Sequence, residues 1–187
     1  MCNLIHRIGC SREGPIAMLR ILIVEDDAQL ASMLRYLVED NPRYHVVAVA
    51  EDLDGAVAAA AEHDPDLALV DLHLARGSSG YSVAVRLNDA AIPCLFVTGR
   101  PPGFALPDLA LGCLLKPFTG DQVHRALAMA EDMMRGRETL RPKLVANLQM
   151  YEIVSEEPRA IFTGPDPSPP RPSFKRRLER WITGPFH

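Results

Sequence analysis

Leu19-Arg20-Ile21-Leu22-Ile23-Val24-Glu25-Asp26-Asp27 is the stretch that decides how this chain folds. A short, nearly continuous apolar run suits a strand buried on both faces. It stops abruptly at three acids. Leu30, Met33, Leu34, Leu37 and Val38 follow at helical spacing, and Asn41-Pro42 ends that helix. The same alternation continues along the chain. Tyr44 to Ala50 reads as a second strand and Leu53 to Ala61 as a second helix, and Asp64-Pro65-Asp66 makes a turn. Leu67 to Val70 is a third buried strand, ending at Asp71. Gly77-Ser78-Ser79-Gly80 is a loop in which Ser78 or Ser79 is placed to cap a helix over Tyr81 to Leu87. Pro93 to Val97 is a fourth strand, ending at Thr98-Gly99. Gly112 to Leu115 is a fifth, ending at Lys116-Pro117, and a last helix runs from Asp121 to about Met134. Between Gly99 and Gly112, Pro101, Pro102, Gly103 and Pro107 oppose a full helix, so a short irregular connection is expected there.

Alternation of this kind predicts a doubly wound α/β domain with a parallel sheet. In such sheets the site lies beyond the carboxyl ends of the strands. Polar residues gather at those ends: Glu25 and Asp26, Asp71, Thr98 and Lys116. Three carboxylates in one pocket repel, and a divalent cation relieves the repulsion. All-oxygen donors favour a hard ion, and few protein ligands favour Mg²⁺. A carboxylate beside such an ion can attack phosphorus, while a lysine and a threonine hydroxyl stabilise the phosphoryl oxygens. Taken singly, each position has a plainer role: Glu25-Asp26-Asp27 as acids at a helix start, Asp71 as a loop residue, Thr98-Gly99 as a turn, Lys116 as a surface cation. Their joint arrival at successive strand ends favours the chemical reading.

Composition bounds the alternatives. The 187 residues are 48% apolar and 24% charged, with a net charge of −4, which excludes a chain disordered throughout and one basic throughout. The longest apolar run, Ala90 to Val97, is far too short to span a membrane, and no secretory signal is visible. Four cysteines without a CxxC pair suggest neither a disulfide framework nor a zinc site, and they point to the reducing cytoplasm. Charge divides unevenly. Residues 1–18 carry two Arg and one Glu, residues 19–137 ten basic and seventeen acidic residues, and residues 138–187 eight basic and six acidic. Met18 reads as a natural start, with residues 1–17 an irregular upstream extension. Six prolines between Pro158 and Pro172 make an extended tail. After them Phe174, Leu178 and Trp181 form a short basic amphipathic stripe, which suits a frayed terminus, a partner protein or an anionic membrane surface.

The stretch from Met18 to Arg135 resembles a receiver domain of a bacterial two-component response regulator. Ile-Leu-Ile-Val-Glu25-Asp26-Asp27, Leu-Val-Asp71-Leu, Val-Thr98-Gly and Lys116-Pro-Phe match its motifs in order and spacing. The resemblance implies a flavodoxin-like, five-stranded parallel sheet of order 2-1-3-4-5 over residues 18–137, followed by a Pro-rich, largely irregular tail over 138–187. It further implies that Asp71 is the phosphoacceptor and that Glu25, Asp26, Asp71 and the backbone carbonyl of His73 hold Mg²⁺. Thr98 and Lys116 would bind the phosphoryl oxygens, and Lys116-Pro117 would be cis. The implied partners are a histidine kinase or phosphotransfer protein and a downstream protein. No helix-turn-helix follows, so DNA binding is not expected.

Two features depart from the usual pattern. Cys113 stands three residues before the lysine, where receivers often carry a switching Tyr or Phe. Pro93, Phe96-Val-Thr98-Gly99 and Gly77-Ser-Ser-Gly80 are similar to the "FAT GUY" subset, which lacks that aromatic, has an unusual fourth helix and looks to HWE-type kinases. Two competing functions stay open at this point. One is a receiver-like binding module or adaptor acting through the basic tail. The other is an aspartate-nucleophile phosphohydrolase, which would want a second acid where His73 stands. His124 reads as a surface residue, and Cys94 and Cys113 as buried inert thiols.

Overall fold

A computed structural model of the chain describes residues 18–74, 77–137, 144–145 and 147–151. The expected extension at 1–17 and the Pro-rich, basic segment from 152 onward lie outside these residues. β1 (Leu19–Val24) runs between β2 (Tyr44–Ala50) and β3 (Leu67–Val70), parallel to both. Leu19, Ile21 and Ile23 enter one core and Leu22 and Val24 the other. That two-sided burial is why the strand is apolar almost throughout. β4 (Cys94–Thr98) and β5 (Gly112–Leu115) follow in parallel.

The helices close both faces. α1 (Ala28–Glu39) and α4 (Gly120–Met134) lie on one, through Leu34, Val38, Val123 and Leu127. α2 (Leu53–His63) and α3 (Gly80–Asp89) lie on the other, through Ala56, Ala60, Val83 and Leu87. Asp27 caps α1, accepting from the N–H groups of Gln29 and Leu30. Of the three acids after β1, it alone plays the helix-start role. Asp52 caps α2, Ser79 caps α3, and Thr119 with Gln122 forms a capping box on α4.

The doubly wound parallel sheet of order 2-1-3-4-5 is present, and two strands extend it. β6 (Leu144–Val145) and β7 (Leu148–Met150) form an antiparallel hairpin, with β7 paired antiparallel to β5. The sequence placed these residues in the tail. Gly112 makes the pairing possible. A Cβ there would stand 2.5 Å from the Gln149 carbonyl oxygen and 2.9 Å from Met150 Cα. The hairpin covers an edge that would otherwise offer unpaired backbone groups.

Between β4 and β5 no helix forms, as the prolines predicted. The connection still packs. Leu106 and Leu109 lie against the α2–α3 core, and Asn88 of α3 donates to the Leu109 carbonyl at 2.7 Å. No helix of the described residues is long and apolar enough to cross a membrane.

Candidate functional site

β1, β3, β4 and β5 run in one direction, so their final residues open on one end of the sheet. Glu25 and Asp71 follow β1 and β3 directly, and the Asp71 N–H donates to the Val24 carbonyl at 2.9 Å, fixing the two strand ends side by side. Carboxylate oxygens of Glu25, Asp26 and Asp71 lie within 4.8 Å of one another. Glu25 is 3% exposed and Asp71 7%. Gly80 lets the loop after β3 fold tightly over Asp71, since a Cβ there would stand 2.0 Å from the Asp71 carbonyl oxygen. The Lys116 ammonium reaches across from the end of β5, donating to Glu25 Oε2 at 2.6 Å and to Asp71 Oδ2 at 2.7 Å. The Lys116-Pro117 peptide is cis. Thr98, fully buried at the end of β4, has its hydroxyl 3.2 Å from His73 Nδ1.

Electrostatics follow from this crowding. Burial raises the Glu25 carboxyl above its ordinary range and the nearby Asp71 adds to the rise, although Lys116 pulls the other way. Burial alone would lower the Lys116 ammonium, but its hydrogen bonds to Asp71 and Glu25 outweigh that and hold it above its ordinary value. With all groups ionised, three carboxylates face one ammonium, which leaves two negative charges uncompensated. Hard oxygen donors packed this closely fit a Mg²⁺ ion in charge and donor type.

All six residues singled out in the sequence, Glu25, Asp26, Asp71, His73, Thr98 and Lys116, therefore meet at one strand-end pocket. The side chain of His73 is more engaged than its sequence position suggested: exposed overall, it still touches Thr98. Its backbone N–H donates to Asp71 Oδ1 at 3.1 Å. His124 is not a free surface residue, since its Nε2 lies 2.7 Å from the Leu37 carbonyl and ties α4 to α1. Cys94 and Cys113 are buried free thiols, and burial pushes the Cys113 thiol up to about 11.

Sequence reasoning missed two residues of the hairpin. Asn147 accepts from the Leu115 N–H at 2.6 Å through its carbonyl and donates from its side chain to the Pro117 carbonyl at 2.9 Å. Tyr151 is 3% exposed and hydrogen-bonded to the Cys113 thiol. The apolar–polar alternation of Leu148-Gln149-Met150 was the available signal, and three residues of it are too few to stand out.

An acidic trio, a hydroxyl and an ammonium at the carboxyl end of a doubly wound parallel sheet define a class of α/β signalling domain. The profile of the response regulator receiver domain matches residues 21–128, and the chain belongs to that family. Receiver domains are phosphoacceptor switches of two-component systems and bind Mg²⁺ through acidic residues. The phyllosphere-induced regulator PhyR of Methylorubrum extorquens is 36% identical over 115 residues, covering 59% of this chain and 42% of that protein. The receiver domain of a modulated diguanylate cyclase from Desulfovibrio desulfuricans G20 superposes with a TM-score of 0.53 at 33% identity, covering 59% of this chain and 91% of that one. The PhyR receiver domain of Erythrobacter litoralis gives a TM-score of 0.53 at 26% identity, covering 71% of this chain and all of that one. The chain spans less than two thirds of the length of curated relatives such as PhyR.

Proposed function

We propose that Asp71 accepts a phosphoryl group from the phosphohistidine of a histidine kinase or phosphotransfer protein. The observation that carries this reading is the Asp71 carboxylate, buried at a strand end, within 4.8 Å of two further acids and 2.7 Å from the Lys116 ammonium. An Asp71 oxygen attacks phosphorus as the P–N bond breaks. The electron pair stays on the donor imidazole, which leaves neutral because its other ring nitrogen has taken a proton from solvent, and the product is an aspartyl phosphate. Mg²⁺, held by Glu25, Asp26, Asp71 and the His73 carbonyl, would supply charge neutralisation at the phosphoryl oxygens. Lys116 exchanges its Asp71 contact for a phosphoryl oxygen. The Thr98 hydroxyl turns from His73 to donate to another. Burial excludes most water from the attacking carboxylate.

The new dianionic group, carrying about −1.5 to −2 charges, shifts the balance between two receiver conformations. The signal then passes by protein contacts. The donor fits the HWE-type kinases that serve the "FAT GUY" subset, and the setting is the cytoplasm. A phosphohydrolase role is disfavoured because the residue two beyond Asp71 is His73 rather than an acid. The test is intact-mass spectrometry after incubation with acetyl phosphate, with and without Mg²⁺, repeated with a phosphorylated histidine kinase. A gain of one phosphoryl group in the wild type that is absent in Asp71→Asn and without Mg²⁺ supports the reading. No gain from either donor refutes it.

A further inference from the structure

We propose that the C-terminal hairpin is the switch element of this receiver: Asn147 clasps the backbone on both sides of Lys116, Tyr151 seals the Cys113 face, and phosphorylation of Asp71 loosens both. The inference rests on the phosphoacceptor reading above and extends it.

The clasp is a matter of backbone geometry. Asn147 accepts from Leu115 N–H and donates to the Pro117 carbonyl, the residues immediately before and after Lys116. Its φ of +65° is a left-handed conformation that asparagine tolerates better than most residues. Lys116 is meanwhile committed to Glu25 and Asp71. When the ammonium leaves Asp71 Oδ2 for a phosphoryl oxygen, the Lys116 stem must shift, and the two hydrogen bonds to Asn147 hold the backbone on either side of that residue.

The seal lies one strand-length away. No helix forms between β4 and β5, and Cys113 stands where receivers often carry an aromatic. Tyr151 occupies the place instead. It is buried in the same core as Phe96, Cys113 and Ala110, and its N–H donates to the Leu111 carbonyl at 2.8 Å. Phe96 in turn meets Tyr81 edge-on, ring centroids 5.9 Å apart. The aromatic arrives from the residue after β7 rather than from β5. Gly112 shows that the approach is built in, because any side chain at 112 would push β7 away. Phosphorylation that shifts the ends of β4 and β5 therefore acts on a hairpin held by three pairs to β5, Asn147 and one buried ring.

The experiment is N-ethylmaleimide labelling of the full chain, with peptide mass spectrometry for each cysteine and intact mass for phosphoryl content in the same sample. Unphosphorylated protein should label Cys113 slowly, because it is 2% exposed and its thiol is poorly ionised. Phosphorylation should speed Cys113 labelling by on the order of tenfold, with Cys94, buried at the start of the neighbouring strand β4, unchanged. Tyr151→Ala should label Cys113 fast without phosphorylation, and slow Cys94 labelling will show that the variant is folded. Asn147→Gly keeps the left-handed turn and removes the side-chain clasp, so it should phosphorylate yet show a weakened Cys113 response. Full phosphoryl content with an unchanged Cys113 rate overturns the hairpin switch and leaves the phosphoacceptor reading standing. Absence of phosphoryl gain overturns both, and intact mass separates the two results.

Discussion

Replacing Lys116 by methionine keeps most of the side-chain volume and removes the ammonium between two acids. Lys116 is 16% exposed at its side chain, Glu25 4% and Asp71 9%, so all three belong to the buried regime. Two charge-assisted hydrogen bonds are lost, each worth about 1.5–3 kcal/mol. Breaking a buried pair by removing one partner costs about 3–5 kcal/mol, because the remaining charge is left uncompensated. Here two carboxylates are left, and Glu25 already sits above its ordinary range, so proton uptake caps the cost near the lower end. The expected loss is about 3 kcal/mol in metal-free buffer. With a urea slope of about 1–3 kcal/mol per molar, the midpoint falls by about 1.5 M. Urea unfolding followed by far-ultraviolet circular dichroism reads this directly. Mg²⁺ is the second arm. A divalent ion replaces the missing ammonium among the three carboxylates, so saturating Mg²⁺ at about a hundred times its Kd should restore about 2.7 kcal/mol. The same variant should be unable to hold a phosphoryl group in its productive geometry, so acetyl phosphate should label it far more slowly than wild type. A metal-free loss below about 1 kcal/mol, or a midpoint indifferent to Mg²⁺, would show that the three acids are not electrostatically coupled and that the site has been misread.

Other perturbations test neighbouring links. Gly80→Ala forces a methyl to within 2.0 Å of the Asp71 carbonyl oxygen and should cost about 3 kcal/mol, while slowing phosphoryl uptake by displacing the Asp71 peptide; an unchanged urea midpoint contradicts this. Glu131, 3% exposed, takes both hydrogen bonds of the Arg43 guanidinium at 2.8 and 2.7 Å. Glu131→Gln should cost about 2 kcal/mol, a figure reduced because the arginines are partly solvated, and a double-mutant cycle with Arg43→Met should show the coupling. Glu39 feels some burial, which would raise its carboxyl, but hydrogen bonds from Val46 N–H and Arg35 outweigh it and hold the group below 4.5. Its contribution is therefore fully present above that value and lost as pH falls through the lower folded value. Glu39→Gln should flatten that part of the acid-stability curve, by roughly 0.5 kcal/mol, and a curve parallel to wild type would contradict it.

The bounds of β1, β3 and β5 were legible because these strands are buried on both faces, and burial writes itself as an apolar run ended by a charged residue, Glu25, Asp71 or Lys116; β2, a half-exposed edge strand, was legible from its run of Val and Ala between Arg43 and Glu51. The site was legible for the same reason, since a parallel sheet delivers every strand end to one side. Helix starts were less so. Asp27 is spent on a cap while Glu25 and Asp26 turn to the pocket, and nothing in three consecutive acids distinguishes them. The hairpin was hidden because strands of two and three residues carry almost no periodicity, and β7 pairs with a strand more than thirty residues away in sequence.

Three oddities that looked separate in the sequence share one cause in the fold. Prolines between β4 and β5 exclude a helix there, Cys113 stands where an aromatic is common, and glycine stands at 112. Each opens the same face and edge of β5. Phe96, beside Cys94 and Cys113 in this core, would cost about 1.5–3 kcal/mol if left in water. Tyr151 and the hairpin return that burial from downstream, and they do so through Leu115 and Pro117, the neighbours of the one lysine that must move when Asp71 is modified. Gly112, Cys113 and the prolines at 101, 102 and 107 thus belong to one packing arrangement, and Gly112→Val should undo it by ejecting β7 while leaving β1 to β5 paired.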